Sequence, residues 1–190
     1  MRLALISDIH GNRLALDAAL ADIERLGVGG GVCLGDVVQG GPQPAEVLER
    51  VQELGWPVIL GNADDFVLEV PEDSLEEITE RQLEVRDWTR SQLGEAQLAL
   101  IRSFAPTVEL ELTGGARLLA NPGSVGLAYD RHRPPADVKP VPIAEYGLVH
   151  ANGGGVAVEF RRVPYDLGRL LAAAAAGGRP DADQYAAAWA

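Results

Sequence analysis

A single cysteine, Cys33, stands in a chain of 190 residues. One thiol excludes an internal disulfide, and this usage fits a reducing cytoplasm, the expected compartment. Cys33 lies in an apolar run and reads as a small buried hydrophobe, not a nucleophile. Lysine is as scarce: Lys139 is the only one, so the 16 basic residues are otherwise arginine, against 28 acidic ones. The net charge of -12 excludes the basic surface that binding to a nucleic-acid backbone requires. It leaves room for a small phosphorylated substrate, because a bound cation reverses the local sign. No apolar run reaches the roughly 18 residues of a membrane span, and the N-terminus enters a strand pattern with no signal-peptide layout, so no membrane partner is expected. No Walker A pattern occurs, and no G-x-S-x-G elbow surrounds Ser124, which argues against P-loop and serine-hydrolase chemistry. Gly27, Gly29, Gly30 and Gly31 precede a strand and do not form a dinucleotide fingerprint. No internal repeat or linker is present, and residues 1–190 read as one domain whose self-association into a homo-oligomer the sequence leaves open.

What is present begins with alternation. Residues 2–7 read as a buried strand and residues 13–26 as an amphipathic helix, with Asn12 as its N-cap and Gly27 as its stop. A short strand over residues 32–34 ends at Gly35-Asp36, and residues 44–54 form a second helix stopped by Gly55. A third strand is expected over residues 57–60, ending at Gly61-Asn62. This order predicts crossover connections and a largely parallel sheet. The middle reads as helical: Ser74 and Glu77 have capping-box spacing, and Gly94 separates a second helix that starts at Glu95. Alternation over residues 108–113, a Gly114-Gly115 turn and a return over residues 117–120 predict a hairpin. A second hairpin is expected from residues 145–150 and 155–162 about Asn152-Gly153-Gly154, followed by a helix over residues 165–176 and an alanine-rich tail. Trp56, Trp88 and Trp189 carry no pattern and are read as packing.

The three leading strands end in Asp8-x-His10, Gly35-Asp36 and Gly61-Asn62. In a parallel sheet the carboxyl ends of strands share one edge, where ligands bind. Asp8, His10, Asp36 and Asn62 should therefore converge, and Gly35 and Gly61 let the backbone approach closely. Two carboxylates, an imidazole and an amide oxygen suit Mn²⁺, Fe or Zn²⁺ better than a thiolate-preferring metal. A carboxylate on the middle strand is placed to bridge two cations, a common arrangement for phosphoester hydrolysis. Asp64 and Asp65 read either as groups supporting these ligands or as helix-start acids complementing the dipole.

The segments "SDIHGN", "CLGDVVQGGPQP" and "LGNADD" resemble the first three motifs of the calcineurin-like metallophosphoesterases, and "NPGSVG" and "VEFRRVPYD" resemble later segments of the small YfcE-type phosphodiesterase branch. The resemblance implies an α/β fold, a two-sheet β-sandwich flanked by helices. It implies metal-dependent phosphodiester hydrolysis in which a bridging hydroxide attacks phosphorus and no side-chain nucleophile is used. Asp8 and His10 would hold one metal, Asp36 would bridge and Asn62 would hold the second. His10 and Asn62 would also count as catalytic, and Asn12 would contact a phosphoryl oxygen or cap its helix, two roles that are compatible. The cofactor expected is one or two divalent transition ions, Mn²⁺ first, with Zn²⁺, Fe and Ni²⁺ as alternatives. The chain also departs from the family pattern. Ala63 stands where the third motif often carries a histidine, and "VELELTGGARLLA" runs directly into "NPGSVG", without the stretch bearing the family's His-Gly and Gly-His-x-His motifs. The remaining histidines are His132, in a Pro- and Arg-rich loop, and His150, in the later hairpin; neither is read as a replacement ligand. An incomplete metal site is the consequence. It keeps a second reading alive, a non-catalytic scaffold of this fold that binds a protein partner, as a retromer subunit of the superfamily does.

Overall fold

A computed structural model describes residues 1–70, 78–110, 120–130, 134, 138–153 and 155–190. Strand β1 (Arg2–Ile6) leads through α1 (Arg13–Arg25) to β2 (Gly31–Cys33), then through α2 (Pro44–Leu54) to α3 (Asn62–Leu68), α4 (Glu80–Ser91) and α5 (Glu95–Arg102). The hairpin β3 (Ile143–Asn152) and β4 (Gly155–Pro164) follows, then α6 (Leu167–Ala176) and α7 (Ala182–Ala188). Among the described residues the strands form one mixed sheet in the order β2-β1-β3-β4. β1 runs parallel to β2 and antiparallel to β3, which runs antiparallel to β4. The α/β character is as expected, with helices flanking the sheet. No helix among the described residues is long and apolar enough to cross a membrane.

Local signals account for much of this. Asn12 caps α1 by accepting the Ala15 N–H at 3.0 Å, and Gly55 ends α2 in the left-handed region at φ 62°. Buried Ala15, Leu16, Ala19, Leu20 and Ile23 recur at helical spacing along α1. Cys33 is fully buried in the core, and burial pushes its thiol pKa up to about 12, so the inert reading holds. Trp56 packs against the main core, while Trp189 packs edge-on against Tyr165 and Tyr185 in a smaller cluster with α6.

Several expectations change. Residues 57–60 do not form a separate strand; Val58 and Ile59 make single parallel bridges to Cys33 and Ala105. Pro57 has no N–H to give, and the start of α3 at Asn62 cuts the segment short. The capping box of α4 is Thr79 with Gln82. Ser74 and Glu77 lie outside the described residues, as does most of the hairpin expected over residues 108–120; residues 108–110 and 120 carry no strand pairing. Helix α7 was not anticipated as an element, and α3 only through the helix-start reading of Asp64 and Asp65.

One network ties α1 to the hairpin. Asp22 accepts from Tyr146 Oη at 2.6 Å, from Arg161 Nη2 at 2.9 Å and from Arg25 Nη2 at 2.5 Å. Burial works to raise its pKa, but these donors outweigh it and lower it from 3.8 to about 2. A folded value below the ordinary one means the contribution is fully present above about pH 4 and is lost as pH falls toward 2. We expect Asp22 to supply on the order of 1–2 kcal/mol at neutral pH. Urea unfolding at pH 6 and pH 3 checks this: Asp22→Asn should be less stable at pH 6 and should lose less between the two. Equal losses in variant and wild type would contradict it.

Candidate metal centre

The edge at the exits of β1 and β2 is where backbone conformation turns unusual. Among the described residues, Asp8, His10 and Asp36 are the non-glycine residues with positive φ, at 53°, 50° and 54°. The left-handed region costs an L-residue roughly 1–2 kcal/mol. Such conformations persist where the surroundings over-determine them, and they cluster at functional sites. The surroundings here are a continued ladder between the two exits. Asp8 N–H donates to Gly35 O at 3.0 Å, His10 N–H to Asp36 O at 2.8 Å and Gly11 N–H to Val37 O at 2.8 Å. The 121–126 loop adds a third wall: Gly126 N–H and Ser124 Oγ–H both donate to Asp8 O at 2.9 Å.

The outcome is a cluster. One ligand atom each of Asp8, His10 and Asp36 lies within 4.8 Å of the others, all three residues being half-buried. His10 Nδ1 is 2.8 Å from Gln39 O. A carbonyl only accepts, so Nδ1 carries the proton and the neutral ring keeps its Nε2 lone pair free. That nitrogen stands 3.7 Å from Asp8 Oδ1. Ser7 Oγ–H donates to Asp8 Oδ2 at 2.5 Å. Burial opposes the charged forms of both members, yet the Asp8 pKa is lowered by His10 and Ser7, and the His10 pKa is raised by Asp8, Gln39 O and Asp36. Oriented carboxylates and an imidazole whose other nitrogen is held by a carbonyl form the donor set a transition metal takes, so the residues fit such an ion.

Asn62 is exposed at the first position of α3. The backbone on either side of it touches Asp36. Ala63 N–H donates to Asp36 Oδ1 at 2.8 Å, and a Cβ on Gly61 would meet that oxygen at 2.1 Å. Only glycine permits this approach. Asn12, by contrast, is 0% exposed, and both its amide atoms are used within the fold: Oδ1 caps α1, and Nδ2 donates to Gly126 O at 2.9 Å. The expected cap is present. His150 pairs with Arg2 at the far end of β1 from Asp8 and faces Glu159 at 3.5 Å. His132 lies outside the described residues.

Two further groups support the cluster: Asp64, for which the sequence left two readings open, and the Gln39 carbonyl, which it did not mark. Asp64 is 0% exposed, and its Oδ1 accepts from Val37 N–H at 2.8 Å and Val38 N–H at 3.1 Å, bracing the backbone just past Asp36. Burial pushes its pKa up to about 6. Its position two residues after Asn62 was the available signal, and the structure favours the supporting role over dipole complementation; Asp65 is exposed. The Gln39 carbonyl gave no signal, because every residue carries one.

Beside Asp8 opens a cleft of about 500 Å³ whose walls include Asn121, Ser124, Tyr129, Glu145, Phe160 and Arg162. Phe160 and Tyr129 are exposed, and Arg162 Nε pairs with Glu145 at 3.0 Å.

Comparison with known proteins places this geometry. An uncharacterized protein of Methanocaldococcus jannaschii is 33% identical over 112 residues, 59% of this chain and 45% of that protein. In this match the chain spans less than half the length of its curated relative. A metallophosphoesterase from Sphaerobacter thermophilus superposes at a TM-score of 0.72 with 23% identity, over 99% of this chain and 98% of that one. A hypothetical protein from Pyrococcus horikoshii does so at 0.72 with 20% identity, over 98% and 96%. At these identities the likeness is one of fold. Residues 1–114, which contain all three strand-exit motifs, match the calcineurin-like phosphoesterase superfamily domain, and on that match the chain belongs to the calcineurin-like phosphoesterase superfamily.

Proposed function

We propose that the chain is a metal-dependent phosphoesterase of the small phosphodiesterase type, acting on small phosphorylated molecules in the cytoplasm with an incomplete metal site. The observation that carries this is the Asp8–His10–Asp36 cluster, with its ligand atoms within 4.8 Å and the His10 ring locked by Gln39 O. Asp8, His10 and Asp36 would hold one ion, Mn²⁺ first, and Asp36 with Asn62 a weaker second. A divalent cation held there supplies Lewis acidity toward a phosphoryl oxygen and a nucleophile drawn from water. The protein's part is positioning. Ser7 and the 121–126 loop hold Asp8, Ala63 N–H holds Asp36, and the Gln39 carbonyl holds the His10 ring. The adjoining cleft of about 500 Å³ suits a small ligand.

Transition-metal sites that persist in ordinary buffer generally have at least three protein ligands. The first site meets that count and the second does not. We therefore expect one Mn²⁺ per chain after loading and dialysis, with slow turnover of a chromogenic phosphodiester in excess Mn²⁺. Two retained ions with brisk turnover would show that the site is completed from elsewhere. No retained ion and no turnover would favour the scaffold reading.

A further inference from the structure

The Arg179 side chain is 4% exposed, as is that of its partner Asp181. Arg179 Nε donates to Asp181 Oδ1 at 2.5 Å and Nη2 to Oδ2 at 3.3 Å. Its guanidinium lies 4.3 Å from the centre of the Tyr185 ring. Asp181 is met again by Arg81 Nη2 of α4 at 2.7 Å. A buried ion pair of this kind does little for stability that well-packed apolar side chains would not do, because desolvation of both ions offsets their attraction. What an apolar pair cannot do is reach a carbonyl. Arg179 Nη1 donates to Gly40 O at 2.6 Å. Gly40 has φ 112°, and a Cβ there would lie 3.6 Å from His10 Nδ1. The preceding carbonyl, that of Gln39, is the one that accepts the His10 ring proton. The Gln39 and Gly40 carbonyls lie in consecutive peptide planes that meet at the Gly40 Cα, so anchoring Gly40 O restricts the φ and ψ of Gly40, and with them the directions in which Gln39 O can point.

We propose that Arg179 is a positioning residue for the metal centre: through Gly40 it sets the Gln39 carbonyl that keeps His10 Nε2 free. This rests on the metal reading above. It assigns a role at the site to a residue 139 positions from Gly40 and outside the family-matched segment. The strut runs from α4 through Asp181 and Arg179 to the loop over His10.

Three variants test it: Arg179→Lys, Arg179→Met, and Arg179→Met combined with Asp181→Leu. The double variant removes both buried charges, so its melting temperature should recover relative to Arg179→Met. Two readouts apply. One is the ring ¹⁵N–¹H signal of His10 Nδ1 in the chelated protein, with His150 as internal reference. The other is Mn²⁺ affinity by calorimetry. We expect the Nδ1–H signal to broaden or vanish in both Met-containing variants, and Mn²⁺ affinity to fall about 10- to 100-fold, the usual effect of losing a group that orients a ligand. Arg179→Lys keeps a charge beside Asp181 but cannot fork to both partners, and should lie between. A folded double variant with a wild-type ring signal and wild-type affinity overturns the proposal. If wild type binds no Mn²⁺ the metal reading falls, and the ring signal then decides: retained in the variants it overturns the positioning role, lost it supports that role.

Discussion

Asp36→Asn is expected to abolish metal retention while leaving the chelated protein as stable as wild type, or slightly more so. Asparagine removes one of three ligands from the tighter site and the shared ligand from the weaker one, so Mn²⁺ affinity should fall at least about 100-fold. The substitution is otherwise mild. Asparagine tolerates the left-handed backbone at φ 54° and keeps an oxygen for the Ala63 N–H. With no cation present, Asp8 and Asp36 repel, and removing one charge relieves this once His10 is neutral. The chelated variant at pH 8 should melt at or slightly above the wild-type temperature. Asp36→Ala differs: it strains the left-handed position and leaves the Ala63 N–H unpartnered, costing about 1–2 kcal/mol. Calorimetric titration of both variants with Mn²⁺, and melting in chelator, separate the two effects. Wild-type affinity in Asp36→Asn would end the assignment.

The largest loss of stability is expected from Gly126→Ala. A Cβ at this position would meet Ile9 O at 1.7 Å and Asn12 Cβ at 3.1 Å. The obstacle is backbone, which cannot rotate away as a side chain would. To admit the methyl group, the 121–126 loop must lift from the β1 exit. Lifting breaks the bonds from Gly126 N–H and Ser124 Oγ–H to Asp8 O and from Asn12 Nδ2 to Gly126 O. Overpacking with the loss of buried hydrogen bonds should cost about 4 kcal/mol. For a chain of this size that lowers the melting temperature by roughly 8–16 °C. Metal affinity should fall with it, because Asp8 loses its support. Gly30→Ala is the control: nothing lies within 4 Å of its Cβ, and its effect should stay within about 0.5 kcal/mol. Urea unfolding in chelator measures both. A Gly126→Ala loss under 1 kcal/mol would show that the loop is not seated on Ile9.

These expectations depend unequally on what a reader of the sequence could have seen. Asp8, His10 and Asp36 were legible because each follows an apolar run that a local pattern marks as a strand, and consecutive parallel strands bring their exits to one edge. For Asn62 the same argument brings its flanking backbone, Gly61 and Ala63, against the Asp36 carboxylate, although residues 57–60 bridge instead of forming a strand. Asn12 was legible as the cap of α1, because a capping residue just before an amphipathic run is a local signal.

The sequence by itself determined the elements whose causes are local: the buried strand β1, the cap of α1, the αL glycine after α2, and the hairpin β3–β4. Periodicity and capping act within a few residues and are written in residue type. Only the tertiary structure decided how the site is held. The left-handed backbone at Asp8, His10 and Asp36, the carbonyl of Gln39 against His10, the brace from Asp64, and the reach of Arg179 to Gly40 all join groups remote in the chain or identical in every residue. A main-chain carbonyl has no sequence signature, and a buried arginine gains its meaning only from what folding places at its tip.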